Sequence, residues 1–156
     1  MKFRLIWIGS NADAQLGAAI ERYRERIGRF FPIEIIEVAA EKDRQKKKDA
    51  AIIRADSARL IAAIPARGIT VVVDERGESI DSLKFAKWLE RISSQSPDGI
   101  HFVMGGDVGL DDAIRSRADR ILSLSAMTLP HQIARLVLIE QIYRACTLMR
   151  NIRYHK

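Results

Sequence analysis

The sequence is poor in the features that mark disulfide-stabilised, metal-bound or membrane-spanning chains. It has one cysteine, Cys146. A lone thiol closes no internal disulfide and suits a reducing compartment; its place in an apolar helical pattern predicts a buried spectator. No apolar stretch approaches the roughly 18 residues of a membrane span. Met1-Lys2-Phe3-Arg4 leads directly into a β-like run, without the apolar stretch or small-residue cleavage site of a signal peptide. No set of His, Cys and carboxylates has metal-ligand spacing, so no metal is expected. There is no internal repeat, no low-complexity linker and no sign of a second domain, and a length of 156 residues fits one domain over 1–156. These absences predict a soluble, cytoplasmic domain with no membrane contact.

What is present is ordinary for a globular protein, with 47% hydrophobic and 29% charged residues, so disorder is not expected. Lys and Arg number 26 against 20 Asp and Glu, a formal charge of +6. A basic balance favours polyanionic partners, nucleic acid or an acidic surface. A merely soluble basic protein fits the charge equally well.

Along the chain, short apolar or β-branched runs alternate with helical patterns. Phe3–Ile8 reads as a buried strand, and the turn Gly9-Ser10-Asn11 caps a helix with Leu16, Ile20, Tyr23, Ile27 and Phe30 on one stripe. Arg22, Arg24, Arg26 and Arg29 lie mainly off that stripe and are read as a solvated face paired with Glu21 and Glu25 rather than as phosphate ligands. Pro32 ends the helix and Ile33–Val38 follows as a second strand. From Glu41 to Asp49, eight of nine residues are charged, including Lys46 to Lys48. Such a run is predicted to be an exposed loop before a helix over Ala50–Ile64; RNA contact is one use of it and plain solvation the commoner one.

Thr70–Asp74 is the clearest buried strand, ended by Asp74, and Asp81-Ser82 caps the next helix, which Pro97-Asp98-Gly99 breaks. Ile100–Met104 is a strand running into Gly105-Gly106-Asp107-Val108-Gly109. A short helix over Asp112–Ala118, a short strand over Ile121–Leu124 and a long helix over His131–Met149 complete the alternation. The expected class is α/β, a mostly parallel sheet flanked by helices. Ligands in such folds bind at the carboxyl ends of the strands, here the loops after Val73, Met104 and Leu124.

The glycine turn lacks the spacing of a dinucleotide fingerprint, and no Lys-Ser/Thr pair follows it as in a phosphate loop. Alone it is a tight turn. Pro130 biases Leu129 toward extended backbone and leaves the groups of Ser125–Leu129 outside helix bonding, where they can read a flat heteroaromatic ring. An ordinary loop with proline opening the next helix accounts for it as well. The closing helix is apolar on nearly every side and must be covered nearly all round, predicting a dimer interface. Glu140 and Arg144 stand in the favoured i,i+4 order for an ion pair. His101, within a strand, is expected to be structural, and His131 to serve capping or loop contacts. The tail from Arg150 to Lys156 combines cations, an aromatic ring and an imidazole, as a base-handling segment would.

Taken together, Val71-Val72-Val73-Asp74-Glu75-Arg76-Gly77, Gly105-Gly106-Asp107-Val108-Gly109-Leu110, Ser125-Ala126-Met127-Thr128-Leu129-Pro130-His131, Glu140-Gln141-Ile142-Tyr143-Arg144-Ala145 and the ending Tyr154-His155 resemble the bacterial large-subunit ribosomal RNA pseudouridine-N3 methyltransferases. That family is of the SPOUT, or α/β-knot, class, and the resemblance covers essentially the whole chain. It implies a C-terminal trefoil knot, which periodicity does not reveal. It also implies a homodimer, S-adenosyl-L-methionine as cofactor, and ribosomal RNA in assembled ribosomes as substrate. Position by position, cofactor contacts fall on Val73, Gly106 and Ser125, Ala126, Met127, Thr128, Leu129 and Pro130. Arg144, Tyr154 and His155 match a composite site in which one subunit's tail meets the cofactor held by the other. His155 is then the candidate base, Arg144 the stabiliser of charge on the target base, and Tyr154 a stacking surface. Asp107-Val108 stands where the family often has Pro-Glu. A SPOUT enzyme with another RNA target, and a non-catalytic ribosome-binding module, are the alternative readings.

Overall fold

Residues with branched side chains on alternating faces need two apolar layers to bury them, and the fold supplies both. The computed structural model describes residues 1–154. Its strands are β1 (Phe3–Ile8), β2 (Ile33–Val38), β3 (Ile69–Ser79), β4 (Ile100–Met104) and β5 (Arg120–Ser123). Its helices are α1 (Ala14–Gly28), α2 (Asp49–Ala63), α3 (Ser82–Gln95), α4 (Asp112–Arg115) and α5 (His131–Met149). The strands form one sheet in the order β2-β1-β4-β3-β5, with every pairing parallel.

Alternation decides which layer each side chain joins. Phe3, Leu5 and Trp7 of β1, with Phe102 and Met104 of β4, face a core shared with α1, α3 and α5. Ile6, Ile8, Val72 and Val103 point the other way, onto Leu60 and Ile64 at the end of α2 and Ile114 of α4. A sheet covered on both faces explains why its central strands read as nearly continuous apolar runs.

Most predicted boundaries hold within a residue or two. β1, β2, β4 and α5 fall where their periodicity places them. The cap of α1 is Asp13, not the Gly9–Asn11 turn, and its carboxylate accepts from the N–H groups of Gln15 and Leu16. Asp81 caps α3 as expected, accepting from Lys84 N–H at 2.7 Å. Helix α4 is one turn shorter than predicted.

The substantial correction concerns β3, which Asp74 does not end. The strand continues to Ser79 through a register shift in which Val73 and Glu78 both pair with Leu122. Asp74 to Gly77 bulge out between those two pairings, re-aiming the strand at the sheet edge. Gly77 makes the bulge fit, because a Cβ there would lie 2.5 Å from the Leu122 backbone carbon. No local pattern signals this, since the partner strand lies far along the chain.

Helix α5 is flanked by α1 and α3 of its own chain. That packing supplies much of the cover expected from a second subunit, and all of its residues are at least partly buried. Its apolar side chains Ile133 and Val137 stay partly accessible. Among the described residues, no helix is long and apolar enough to cross a membrane.

Candidate active site

Three loops leave the carboxyl edge of the sheet and enclose a cleft of about 440 Å³, within the range of about 300–1,000 Å³ usual for small-molecule sites. Val73, Gly106, Ser125, Met127, Thr128 and Leu129 line it, together with His131 at the start of α5 and Ile53 of α2. The structure therefore gathers six of the eight residues expected to hold a cofactor. Ala126 and Pro130 belong to the same loop without lining the cleft.

Each loop is held by identifiable bonds. After β5, the buried Ser123 hydroxyl donates to Ser125 O at 3.0 Å, and Ser125 Oγ accepts from Met127 N–H at 2.9 Å. This local turn occupies one amide of the loop. Among the described residues no hydrogen bond takes up the N–H groups of Ala126, Thr128 and Leu129. They are free to meet a ligand, as an extended segment ahead of a proline should leave them. Met127 is 78% exposed, a large apolar side chain projecting beside the cleft.

The β3 bulge and the loop after β4 are tied to each other by Arg115. Its guanidinium donates to Asp74 Oδ2 through Nε at 3.1 Å and through Nη2 at 2.9 Å, and also to Leu110 O at 2.8 Å. A planar fork suits such shared acceptance better than an ammonium. The glycine turn closes tightly: a Cβ at Gly105 would stand 2.9 Å from Gly109 O, so only glycine lets those backbones approach.

Arg135 was not singled out from sequence, yet it fixes the base of α5. It is wholly buried, stacks 5.0 Å from the Trp7 ring, donates Nη1 to Ser10 O at 3.1 Å and to Asn11 Oδ1 at 3.0 Å, and donates Nη2 to Ile8 O. Burial disfavours its charged form and pushes its pKa down to about 10, with the charge of Glu37 opposing. A signal was available: Arg135 shares the helical face of Leu138, Ile139 and Ile142, at i+3, i+4 and i+7. Gln132 adds a second tie, its Oε1 accepting from Asp13 N–H at 3.2 Å. His131 lies below the usual imidazole range, through burial first and then the nearby Arg135 charge.

The expected catalytic residues gather elsewhere. Glu140 accepts from Arg144 Nη2 at 2.6 Å, the predicted ion pair, and from the Tyr154 hydroxyl at 3.2 Å. Tyr154 lies edge-on to Tyr143 with ring centroids 4.8 Å apart, its hydroxyl is 3.3 Å from that of Tyr23, and the Arg144 guanidinium sits 4.9 Å above its ring. Burial, then the Tyr23 hydroxyl and the Glu140 charge, hold the Tyr154 phenol far above its ordinary pKa. The bond to Glu140 raises that of Arg144. Neither Arg144 nor Tyr154 lines the cleft. Thirteen residue steps of helix separate His131 from Arg144, about 20 Å at 1.5 Å per residue. His155 lies outside the described residues.

The remaining expectations resolve simply. His101 is fully buried, its Nε2 2.8 Å from Arg67 O, a structural histidine. Cys146 is likewise buried. Arg24 pairs with Glu21 on the solvated face of α1, as expected, whereas Arg26 stacks beside Tyr23 and Tyr143. Among the described residues no group of three or more His, Cys, Asp or Glu side chains is arranged to hold a metal.

A parallel α/β sheet whose carboxyl-edge loops enclose a cleft ahead of one long C-terminal helix is the frame of an α/β protein that takes a ligand at that edge. The chain belongs to the SPOUT methyltransferases, since the family model described as "Predicted SPOUT methyltransferase" matches residues 1–155. Among its relatives, a protein of Gemmatimonas aurantiaca is 41% identical over 156 residues, covering 100% of both chains. One of Trichlorobacter lovleyi is 39% identical over 155 residues, covering 99% of each. Both are named ribosomal RNA large subunit methyltransferase H. Among solved structures, a probable methylase family protein of Haemophilus influenzae superposes with a TM-score of 0.60 at 15% identity, covering 99% of this chain and 70% of its own. A probable methyltransferase of Bordetella pertussis does so with a TM-score of 0.58 at 16% identity, covering 93% of this chain and 94% of its own. These two likenesses speak for the fold.

Proposed function

We propose that this chain, acting as one unit over 1–156 in the cytoplasm, uses S-adenosyl-L-methionine to methylate N3 of a pseudouridine in the 23S RNA of assembled ribosomes. Near full-length likeness to proteins named for large-subunit ribosomal RNA methylation supports the substrate. The observation that carries the rest is the division of the site. The cleft lies at one end of α5 and the Arg144–Tyr154 cluster near the other, about 20 Å away along the helix. A homodimer that sets one subunit's cluster against its partner's cleft unites them. The exposed Met127 and the partly accessible Ile133 and Val137 give such a partner an apolar surface. The knotted threading typical of the class is part of this reading.

The cleft suits the cofactor in size and in chemistry. The unoccupied amides of Ala126, Thr128 and Leu129 and the neighbouring carbonyls offer a planar purine edge its donors and acceptors, while Val73, Met104 and Leu124 supply apolar walls. S-adenosyl-L-methionine supplies, when bound, an electrophilic methyl group on a sulfonium sulfur. The protein must then bring N3 to within about 3–3.5 Å and in line, which is chiefly a positioning task. It must also remove the imide proton from N3. The phenol of Tyr154, held far above its ordinary pKa, stays protonated and serves as a stacking surface and donor rather than a base. Arg144 keeps its charge beside Glu140 and stabilises negative charge developing on the target base. His155 is assigned the proton.

Ribosomes from cells lacking the gene provide the test. Labelled methyl from S-adenosyl-L-methionine should enter the 23S RNA at a pseudouridine, and the cofactor should raise the melting temperature of the protein. His155→Ala should abolish turnover at unchanged cofactor affinity. A protein showing neither cofactor response nor transfer is a binding module, and label at another nucleotide corrects the target.

A further inference from the structure

The charged run at 41–49 is the exposed stretch its composition predicts, yet side-chain bonds fasten it to the fold. It carries five cations against three carboxylates, and the structure divides those cations into two sets. Arg44 is committed as an anchor: it donates Nη1 to Asp56 Oδ2 at 2.7 Å and Nη2 to Asp107 in the glycine turn. Asp56 is only 1% exposed and also accepts from Glu41 N–H at 2.7 Å. Lys47 is committed too, because Glu41 takes its ammonium at 2.5 Å and the Arg59 guanidinium at 2.5 Å. Lys42, Lys46 and Lys48 are exposed and make no ion pair among the described residues.

Arg44 joins a buried carboxylate on α2 to Asp107, which lines the cleft. Its guanidinium passes 4.0 Å from where a Cβ on Gly106 would stand. The segment is thereby fastened beside the rim of the cleft at Asp107, turning through a short 3-10 helix at Arg44–Lys46. Anchoring matters energetically. A free lysine-rich loop loses backbone freedom when it binds, whereas a strap already held at Glu41 and Arg44 avoids most of that cost.

We infer that 41–49 is an RNA-backbone strap, with Lys42, Lys46 and Lys48 binding phosphates at the mouth of the cofactor cleft and Arg44 holding the segment there. The choice of RNA rests on the ribosomal substrate proposed above. An anionic membrane offers the same charge, but a bilayer pressed on the strap would cover the mouth through which a base must enter.

Co-sedimentation with ribosomes from cells lacking the gene, between 50 and 200 mM salt, tests the strap apart from the chemistry. Each phosphate contact contributes about 0.7–0.9 to the slope of log affinity against log salt. Over that fourfold range the wild type should lose about 20- to 40-fold more affinity than the Lys42→Gln/Lys46→Gln/Lys48→Gln variant. Lys47→Gln should leave the slope as it is. Equal affinity and slope in the triple variant overturn the strap, as does a wild type that binds no ribosomes. Loss of binding to phosphatidylglycerol vesicles with ribosome binding intact assigns the lysines to a membrane instead, and overturns it too. A wild type that sediments through these lysines yet transfers no methyl keeps the strap and refutes the enzymatic reading.

Discussion

Replacing Gly77 with alanine probes the link between the β3 bulge and the cleft loop after β5. The new Cβ would stand 2.5 Å from the Leu122 backbone carbon, and 2.7 Å from the Ile121 backbone carbon and the Leu122 nitrogen. Ordinary carbon–carbon contacts lie at about 3.5–4.0 Å, and backbone atoms of a paired strand have no rotamer by which to withdraw. The strands must part by about 1 Å. If they do, the pairings of Glu78 with Leu122 and Ser79 with Ser123 open, at about 1 kcal/mol for each of roughly two hydrogen bonds. If they hold, overpacking of about 1–3 kcal/mol remains. Either route gives a loss within about 1–3 kcal/mol, or about 2–12 °C in Tm for a chain of this size. Urea unfolding should show the lower midpoint at unchanged slope. Because β5 ends at Ser123, two residues before Ser125, the thermal shift produced by S-adenosyl-L-methionine should shrink as well. Gly28→Ala is the control, with nothing within 4 Å of its Cβ at the end of α1 and a gain of up to about 1 kcal/mol. A Gly77→Ala protein as stable as wild type, with the same cofactor response, would refute the reasoning.

Two further outcomes follow from buried titratable groups. Burial first, and then the charges of Arg4 and Lys2, depress the His101 pKa against the pull of the Arg67 carbonyl. His131 is depressed as well. The unfolded chain then binds more protons than the native one between those lowered values and the ordinary value of about 6.5. Stability should be full above that value and decline as pH falls below it, ahead of the carboxylate range; a urea midpoint that stays flat from pH 7 to pH 5 would contradict this. For Cys146, burial pushes the thiol up to about 12. A disulfide reagent at pH 8 should label it only at the rate of unfolding, and prompt labelling of the folded protein would show that the α5 core is open.

Much of the local architecture was legible without coordinates. The strands β1, β2 and β4 are short, mostly apolar runs between breakers, and Asp81 announces α3 by the chemistry of a cap. The carboxyl ends of β3, β4 and β5 also point to the loops that line the cleft, because a parallel sheet with covered faces leaves only that edge open for a ligand. The Glu140–Arg144 pair followed from helical spacing alone.

Other features rest on partners remote in sequence. Asp74 meets Arg115, and Arg44 meets both Asp56 and Asp107, through pairings that no periodicity encodes. For that reason a run predicted only to be exposed is fastened to the cleft rim at Asp107, and a strand predicted to stop at Asp74 continues. The sequence by itself determined the kinds of element, their order and the edge where a cofactor would sit, because these depend on side-chain chemistry over a few residues. The tertiary structure alone decided that Arg135 is a buried brace and that the cleft and the Arg144–Tyr154 cluster stand at opposite ends of α5. Those are distances across the fold, and a chain must close on itself before they exist.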